Sequence, residues 1–378
     1  MRLPKSQHVR LAVLGVIATV LAFFLFRGSA GTTPMDPVDA VPKESFLVGT
    51  VDVSELRRSP IYDVLLGKSG AAGGKALGLG AVEEACGFDP FTRIERLAVA
   101  VPEKEGERDI GIVGRVQVTR DELQTCKRRL DDKRGGEASA PKERGDFLEI
   151  DGVQAGSTKG RLAYGKDLLV VSTGEWFDAI VATANREKPS VRDAKEHASL
   201  RASLTEREGW RVPTVLVTAI LPKALRDRIR GESGPDATMI GVLGVSAVGL
   251  AVKAGPPGGH VDARIQMVCD SPDECGAVEK LIQKKRLDWS KDLALRMVGF
   301  GQVIDSLETK RSGATLEVSA SANADMLANT LERVLKLRSG RNEPPPLPFA
   351  APPAAPRATP REGAPDETIP SPRAADGG

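Results

Sequence analysis

RVQVTRDELQTC, residues 115–126, returns 149 positions later as RIQMVCDSPDEC, residues 264–275. At that single offset Arg115, Val116 and Gln117 fall on Arg264, Ile265 and Gln266. Asp121 falls on Asp270 and Cys126 on Cys275. In each copy an apolar run of strand character passes into helix-start signals, Thr119 and Asp121 in the first and Ser271, Pro272 and Asp273 in the second. A strand motif, a carboxylate and a cysteine held in one register predict an internal duplication.

The elements ahead of each copy agree in kind. Leu97 to Val101, the polar turn PEKEGER and Ile110 to Val118 read as a hairpin, and so do Ala247 to Val252, KAGPPGG and Val261 to Val268. Further upstream, FLVGTVDV (Phe46 to Val53) enters a helical segment, SELRRSPIYDVLLG, with Ser54 as its cap and Gly67 as its stop. TVLVTAIL (Thr214 to Leu221) enters PKALRDRIR, with Pro222 at the tolerated first position. A small helix is expected over Ala81 to Gly87. Downstream, Phe147 to Gly156 and Arg161 to Ser172 read as paired strands and GEWFDAIVATANRE as a helix. The strand ATLEVSASAN and the helix ADMLANTLERVLKL close the second copy.

The expected fold class is therefore α+β: two tandem repeats of antiparallel sheet with helices packed on one face, an N-terminal apolar helix and a disordered C-terminal tail. The boundaries are residues 1–30 for a signal peptide or signal anchor and 31–42 for a linker. Repeat 1 covers 43–190, a helical bridge 191–212, repeat 2 213–340, and a Pro/Ala-rich tail 341–378.

Arg2, Lys5 and Arg10 precede an uncharged, overwhelmingly apolar run from Leu11 to Phe26. As a helix it would span about 24 Å, a little short of the roughly 30 Å hydrocarbon core. Both a cleaved signal and a retained anchor fit, since Gly28, Ser29 and Ala30 are small while Arg27 and the phenylalanines are not. Either way the positive leader stays inside and the remainder is exported. The expected location is the inner membrane facing the periplasm, or the soluble periplasm if the leader is removed.

Cys86, Cys126, Cys269 and Cys275 are the four cysteines, an even count in an exported chain, and they read as two disulfides, Cys86 with Cys126 and Cys269 with Cys275. Zinc sites pair their thiolates two to four residues apart, which this spacing does not offer, so no metal or other cofactor is implied. From about Gly340 the composition turns to proline, alanine and charge, too polar to bury a core. Its PxxP spacings, at Pro345 to Pro348 and Pro353 to Pro356, arise from composition alone in so proline-rich a tail.

Fifty-three Lys and Arg face 51 Asp and Glu, interleaved along the chain, so no basic stripe points to nucleic acid. Gly67, Lys68 and Ser69 end like a phosphate loop, but Tyr62 stands where its first glycine belongs. Ser246 in GVSAVG resembles a nucleophile elbow whose second glycine comes one place late. Of the histidines a triad would need, His8 lies in the leader, His197 in the charged bridge and His260 in a hairpin turn, and the two exported ones read as solvated. Asp52, Asp121 and Asp270 read as caps or surface carboxylates, and Trp176, Trp210 and Trp289 as core or edge anchors. No catalytic residue is assigned.

The stretches VPKESFLVGTVDVSELRRSPIYDVLLG, CGFDPFTRIERLAVAVPE and HASLRASL together resemble a loose group of bacterial cell-envelope proteins of unknown function. The resemblance implies export and duplicated strand-helix units, and it brings no activity with it. The expected function is a non-catalytic exported envelope binding or scaffold protein. It would meet the membrane through its N-terminal helix, with an envelope protein as a possible partner. The alternative is an exported hydrolase with a carboxylate-based site. A deep pocket with converging Asp or Glu and a buried serine would mark that enzyme; a shallow or filled cleft between the repeats would sink it.

Overall fold

The structure, a computed structural model, describes residues 35–66, 86–87, 89, 92–103, 109–134, 141–155, 158–206, 212–233 and 243–339. The apolar leader, the Gly67 stop, most of the small helix at 81–87, the Gly67 to Ser69 motif, Trp210 and the tail lie outside them. No helix among the described residues is long and apolar enough to cross a membrane.

A 3-10 turn at Pro37–Ala40 leads into β1 (Ser45–Asp52), α1 (Val53–Leu56) and α2 (Pro60–Leu66). Next come β2 (Ile94–Pro102), β3 (Gly111–Val116), α3 (Arg120–Arg134), β4 (Lys142–Arg144), β5 (Phe147–Ala155), β6 (Thr158–Gly165), β7 (Leu168–Thr173) and α4 (Trp176–Ala184). A second 3-10 turn, Val191–Asp193, precedes α5 (Lys195–Thr205), β8 (Val215–Ile220), α6 (Lys223–Ser233), β9 (Val245–Ala254) and β10 (His260–Cys269). The described residues end with α7 (Pro272–Lys291), α8 (Leu293–Val298), α9 (Gly301–Asp305), β11 (Glu308–Ser312), β12 (Thr315–Asn323) and α10 (Ala324–Ser339).

The twelve strands among the described residues form one antiparallel sheet in the order β11-β12-β10-β9-β8-β1-β2-β3-β7-β6-β5-β4. Both expected hairpins are present, β2 with β3 and β9 with β10. The sequence could not show the seam, where β1 pairs with β8 and Gly49 lies opposite Val217.

Helices cover both faces of this sheet, which corrects the expectation of one. Along β10 the side chains of Met267 and Val268 point to opposite sides, because a strand alternates. Met267 and Ile265 pack beneath α7, against Cys275, Val278 and Ile282. Val268 and Ala247 meet Leu200 and Leu204 of α5 on the other side. The face shared with α5 continues across the seam through Thr50, Val48, Ala98 and Val113, where α4 and the first 3-10 turn complete the core with Trp176, Phe177, Ile180 and Val38. Fully burying a side chain of this size stabilises by about 1.5–3 kcal/mol. On the face of α7, α2 from the first half packs on α10 from the second through Ile61, Val64, Leu65, Ala324, Leu327 and Ala328.

Local chemistry explains several departures from the expected elements. The helical segment after β1 breaks at Ser59, since Pro60 lacks the amide to continue it. Its cap is Asp52, whose carboxylate accepts from the Glu55 amide at 3.0 Å, and not Ser54. Arg161 to Ser172 is two strands, folded back at Lys166 and Asp167 with φ of 53° and 59°. Such a turn favours Asn-Gly, so Lys-Asp gave no signal. Hydroxyls cap α3 and α7, with Thr119 Oγ1 accepting from the Glu122 amide and Ser271 Oγ from the Glu274 amide. Asp270 pairs instead with Arg226.

Candidate functional site

A cleft of about 310 Å³ opens on the α5 face of the sheet, directly over the seam. Its floor is Thr50 and Asp52 of β1, Arg96 of β2 and Leu216 of β8. Asp36, Val38 and Arg192 from the two 3-10 turns form one wall, and Arg201, Ala202 and Thr205 of α5 form the other. β-strand alternation puts Thr50 and Asp52 on the same side, while helical spacing brings Arg201 and Thr205 to one face of α5.

Three guanidinium groups meet here. Arg96 is held between two carboxylates, its Nε 3.2 Å from Asp52 Oδ2 and its Nη1 3.1 Å from Asp36 Oδ2. Arg192 pairs with Asp39 and lies 3.7 Å from Asp36 Oδ2. Arg201 has no ion pair among the described residues. Its Nη2 donates to Thr50 Oγ1 at 3.1 Å, and its Nη1 is buried without an acceptor. Burial, reinforced by the Arg192 charge and opposed by Asp36, lowers the Arg201 pKa to about 10, so it remains cationic at neutral pH. A desolvated N–H donor with nothing to donate to costs on the order of 1–3 kcal/mol, more when charged, and a bound anion would remove that cost.

The aspartates are already committed to Arg96, Arg192 and the α1 cap, and neither serine, cysteine nor histidine lines the cleft. The guanidinium groups of this set offer donors that an anion could accept from, and the hydroxyls beside them belong to Thr50 and Thr205.

Below the cleft, α5 is fixed to the sheet by His197, which the sequence suggested was solvated but which is 2% exposed. Its Nε2 lies 2.9 Å from the Ser45 carbonyl, which can only accept, so Nε2 carries the proton and Nδ1 accepts from Thr218 Oγ1 at 2.8 Å. Burial lowers its pKa from 6.5.

The cysteines stand in the two expected pairs, with Cα separations of 4.6 Å for Cys86–Cys126 and 5.5 Å for Cys269–Cys275. Both fit a disulfide and hence an oxidising, exported environment. Ser246 starts β9 with its hydroxyl on the Val268 carbonyl at 3.1 Å, and His260 is exposed at the start of β10, far from it in the strand pattern. Trp176 is a core residue donating to the Ala100 carbonyl, whereas Trp289 is 44% exposed. No group of three or more His, Cys, Asp or Glu among the described residues is arranged to hold a metal. Asp36, Arg96, Arg192 and Arg201 were not singled out in the sequence, because arginine in a chain this charged reads as surface and these four come from distant segments.

Fold and cleft define an antiparallel α+β protein built on one twelve-stranded sheet with an arginine-rich cleft at its centre. No protein-family model matches the chain, and no curated protein matches it. It is similar to the solved structure of crystal form I of TP0453, at TM-score 0.42 and 10% identity, covering 80% of this chain and 100% of that one. Crystal form IV of TP0453 aligns at TM-score 0.42 and 9% identity, over 79% of this chain and 96% of that one.

Proposed function

We propose that the protein is a non-catalytic, exported envelope binding protein whose central cleft takes a small anionic ligand, a carboxylate or phosphate. The observation that carries this reading is the Nη1 of Arg201, buried and without a hydrogen-bond partner among the described residues, in a cleft that Arg192 and Arg96 also line. A single charged group seated there would accept from Arg201 and displace none of the existing ion pairs. The cleft volume, near the lower end of the usual 300–1,000 Å³, suits a molecule of few heavy atoms.

The supporting frame is a duplicated unit, β1-β2-β3-α3 and β8-β9-β10-α7, joined at the seam. Arg57 donates to the Ile94 carbonyl and Arg226 to the Leu243 carbonyl, and residues 94 and 243 stand at the same 149-residue offset that the sequence motif follows. The equivalence stops there, because α4 and α10, which follow β7 and β12, lie on opposite faces of the sheet. The apolar leader holds the unit at the inner membrane on the periplasmic side, where the ligand or an envelope protein would be met.

Calorimetric titration of the full chain with acetate, succinate and inorganic phosphate tests the reading. Saturable binding of at least one, lost in a folded Arg201→Met protein, is the expected result. Absence of saturable binding for all three in the unmodified chain sinks it. Turnover of an ester or glycoside panel abolished by Asp52→Asn would move the assignment to the hydrolase.

A further inference from the structure

We infer that the helical corner at the end of α7 and along α8 inserts shallowly into an anionic phospholipid surface. Among the described residues, four of the five exposed large apolar side chains lie within eleven positions here: Leu287 at 61%, Trp289 at 44%, Leu293 at 69% and Met297 at 71%. The last apolar residue of α7 packed on the sheet core is Ile282, and beyond it no residue through Val298 is buried. The corner therefore projects past the sheet that supports the rest of the helix.

This exposure is built rather than frayed. Asp292 Oδ1 accepts from the Ala294 and Leu295 amides at 2.8 and 3.2 Å, fixing the start of α8. Gly299, at φ 109°, ends it. Arg296 holds the Ser290 carbonyl and the Asp305 carboxylate, each at 2.7 Å, and Arg286 reaches the Asp305 carbonyl at 3.1 Å. A corner pinned at four points presents its apolar side chains in a fixed arrangement.

Charge and geometry choose the occupant. Residues 284–297, KKRLDWSKDLALRM, carry five cations against two carboxylates. Lys284, Lys285 and Lys291 are exposed with no ion pair among the described residues. Tryptophan, leucine and methionine flanked by unpaired lysines suit the headgroup boundary of an anionic bilayer. A flat protein partner fits poorly, because Leu287 and Trp289, two residues apart on a helix, point some 200° away from each other. The combined exposed area of Leu287, Trp289, Leu293 and Met297, on the order of 400 Å², also falls short of the roughly 800 Å² per side of a stable protein interface. Mobile headgroups and upper acyl chains close around a shallowly inserted tip and so reach side chains that diverge.

The test uses the full chain reconstituted into phosphatidylcholine vesicles, with and without phosphatidylglycerol. Leu293→Cys is labelled with an environment-sensitive fluorophore; all four native cysteines are paired, so the new thiol takes the label. A blue shift with quenching by brominated lipid is expected in the anionic vesicles only. Both effects are expected to be lost when Lys284, Lys285 and Lys291 are changed to Glu, and a label at Glu143→Cys on β4, at the far edge of the sheet, should respond to neither lipid. A label at 293 that stays aqueous in anionic vesicles, or is quenched equally in neutral ones, overturns the inference. A label already shielded before lipid is added overturns it too, since the corner would then be covered by protein.

Discussion

His197 Nε2 lies 2.9 Å from the carbonyl oxygen of Ser45, 152 residues away in the chain, and this bond ties α5 to the start of β1. With Nδ1 on Thr218 of β8, one imidazole fastens the helix carrying Arg201 to both seam strands.

Burial holds the folded pKa of His197 below 6.5, so between the folded value and 6.5 the unfolded chain binds more protons than the native one. Stability from this residue is complete above about pH 6.5 and is lost as pH falls toward the folded value. Urea midpoints measured from about pH 7.5 down to about 5.5 should decline, and His197→Gln should flatten that slope. An unchanged slope in the variant would assign the decline to other groups.

Gly249 lies directly under α5, where an added Cβ would sit 2.5 Å from Leu204 Cδ1 and 2.9 Å from Leu200 Cγ. Gly249→Ala should cost about 1–3 kcal/mol, because the helix must lift or its leucines must leave their rotamers. Denaturation should report that loss, and anion binding should weaken with it because Arg201 rides on the same helix.

Arg161 bonds Glu149 Oε1 through Nε at 2.9 Å and Nη2 at 2.5 Å, donates to Asp178 at 2.7 Å, and lies 4.2 Å from the centre of the Phe177 ring. Glu149 is only 7% exposed. Arg161→Ala would strand that carboxylate, at an expected cost of about 3–5 kcal/mol. Arg161→Ala with Glu149→Gln should recover a substantial part of it. If the double variant is no more stable than the single one, the stranded charge is not the cause.

The two disulfides should differ in worth. Cys86–Cys126 closes a separation of 40 residues and Cys269–Cys275 one of 6. Loop entropy predicts about 4 kcal/mol for the first and about 2 kcal/mol for the second. Serine double replacements compared by thermal unfolding should rank in that order, and mass before and after reduction should show no free thiol in protein taken from the envelope.

The sequence by itself determined the elements whose signal is local. Alternation in FLVGTVDV and VDARIQMV marks strands, SPDEC marks a helix start, and GPPGG marks a turn, because each depends on contacts within a few residues. It also indicated two disulfides, through an even count in an exported chain, while the choice among the three possible pairings came from the fold, which brings Cys86 to Cys126 and Cys269 to Cys275. Lys166-Asp167 escaped it because the left-handed turn there uses residues that rarely announce one.

Only the tertiary structure decided that β1 and β8 join two sets of strands into one sheet, and that α5 and α7 cover opposite faces of it. Those choices depend on which apolar surfaces meet across more than a hundred residues, and strand periodicity is the same whichever neighbour a strand takes. The same distance hid the cleft. Arg201 and His197 look solvated in a charged segment, and they become a desolvated cation and a buried clamp once α5 settles on the seam. Burial is a property of what packs against a residue, so it exists only in the fold.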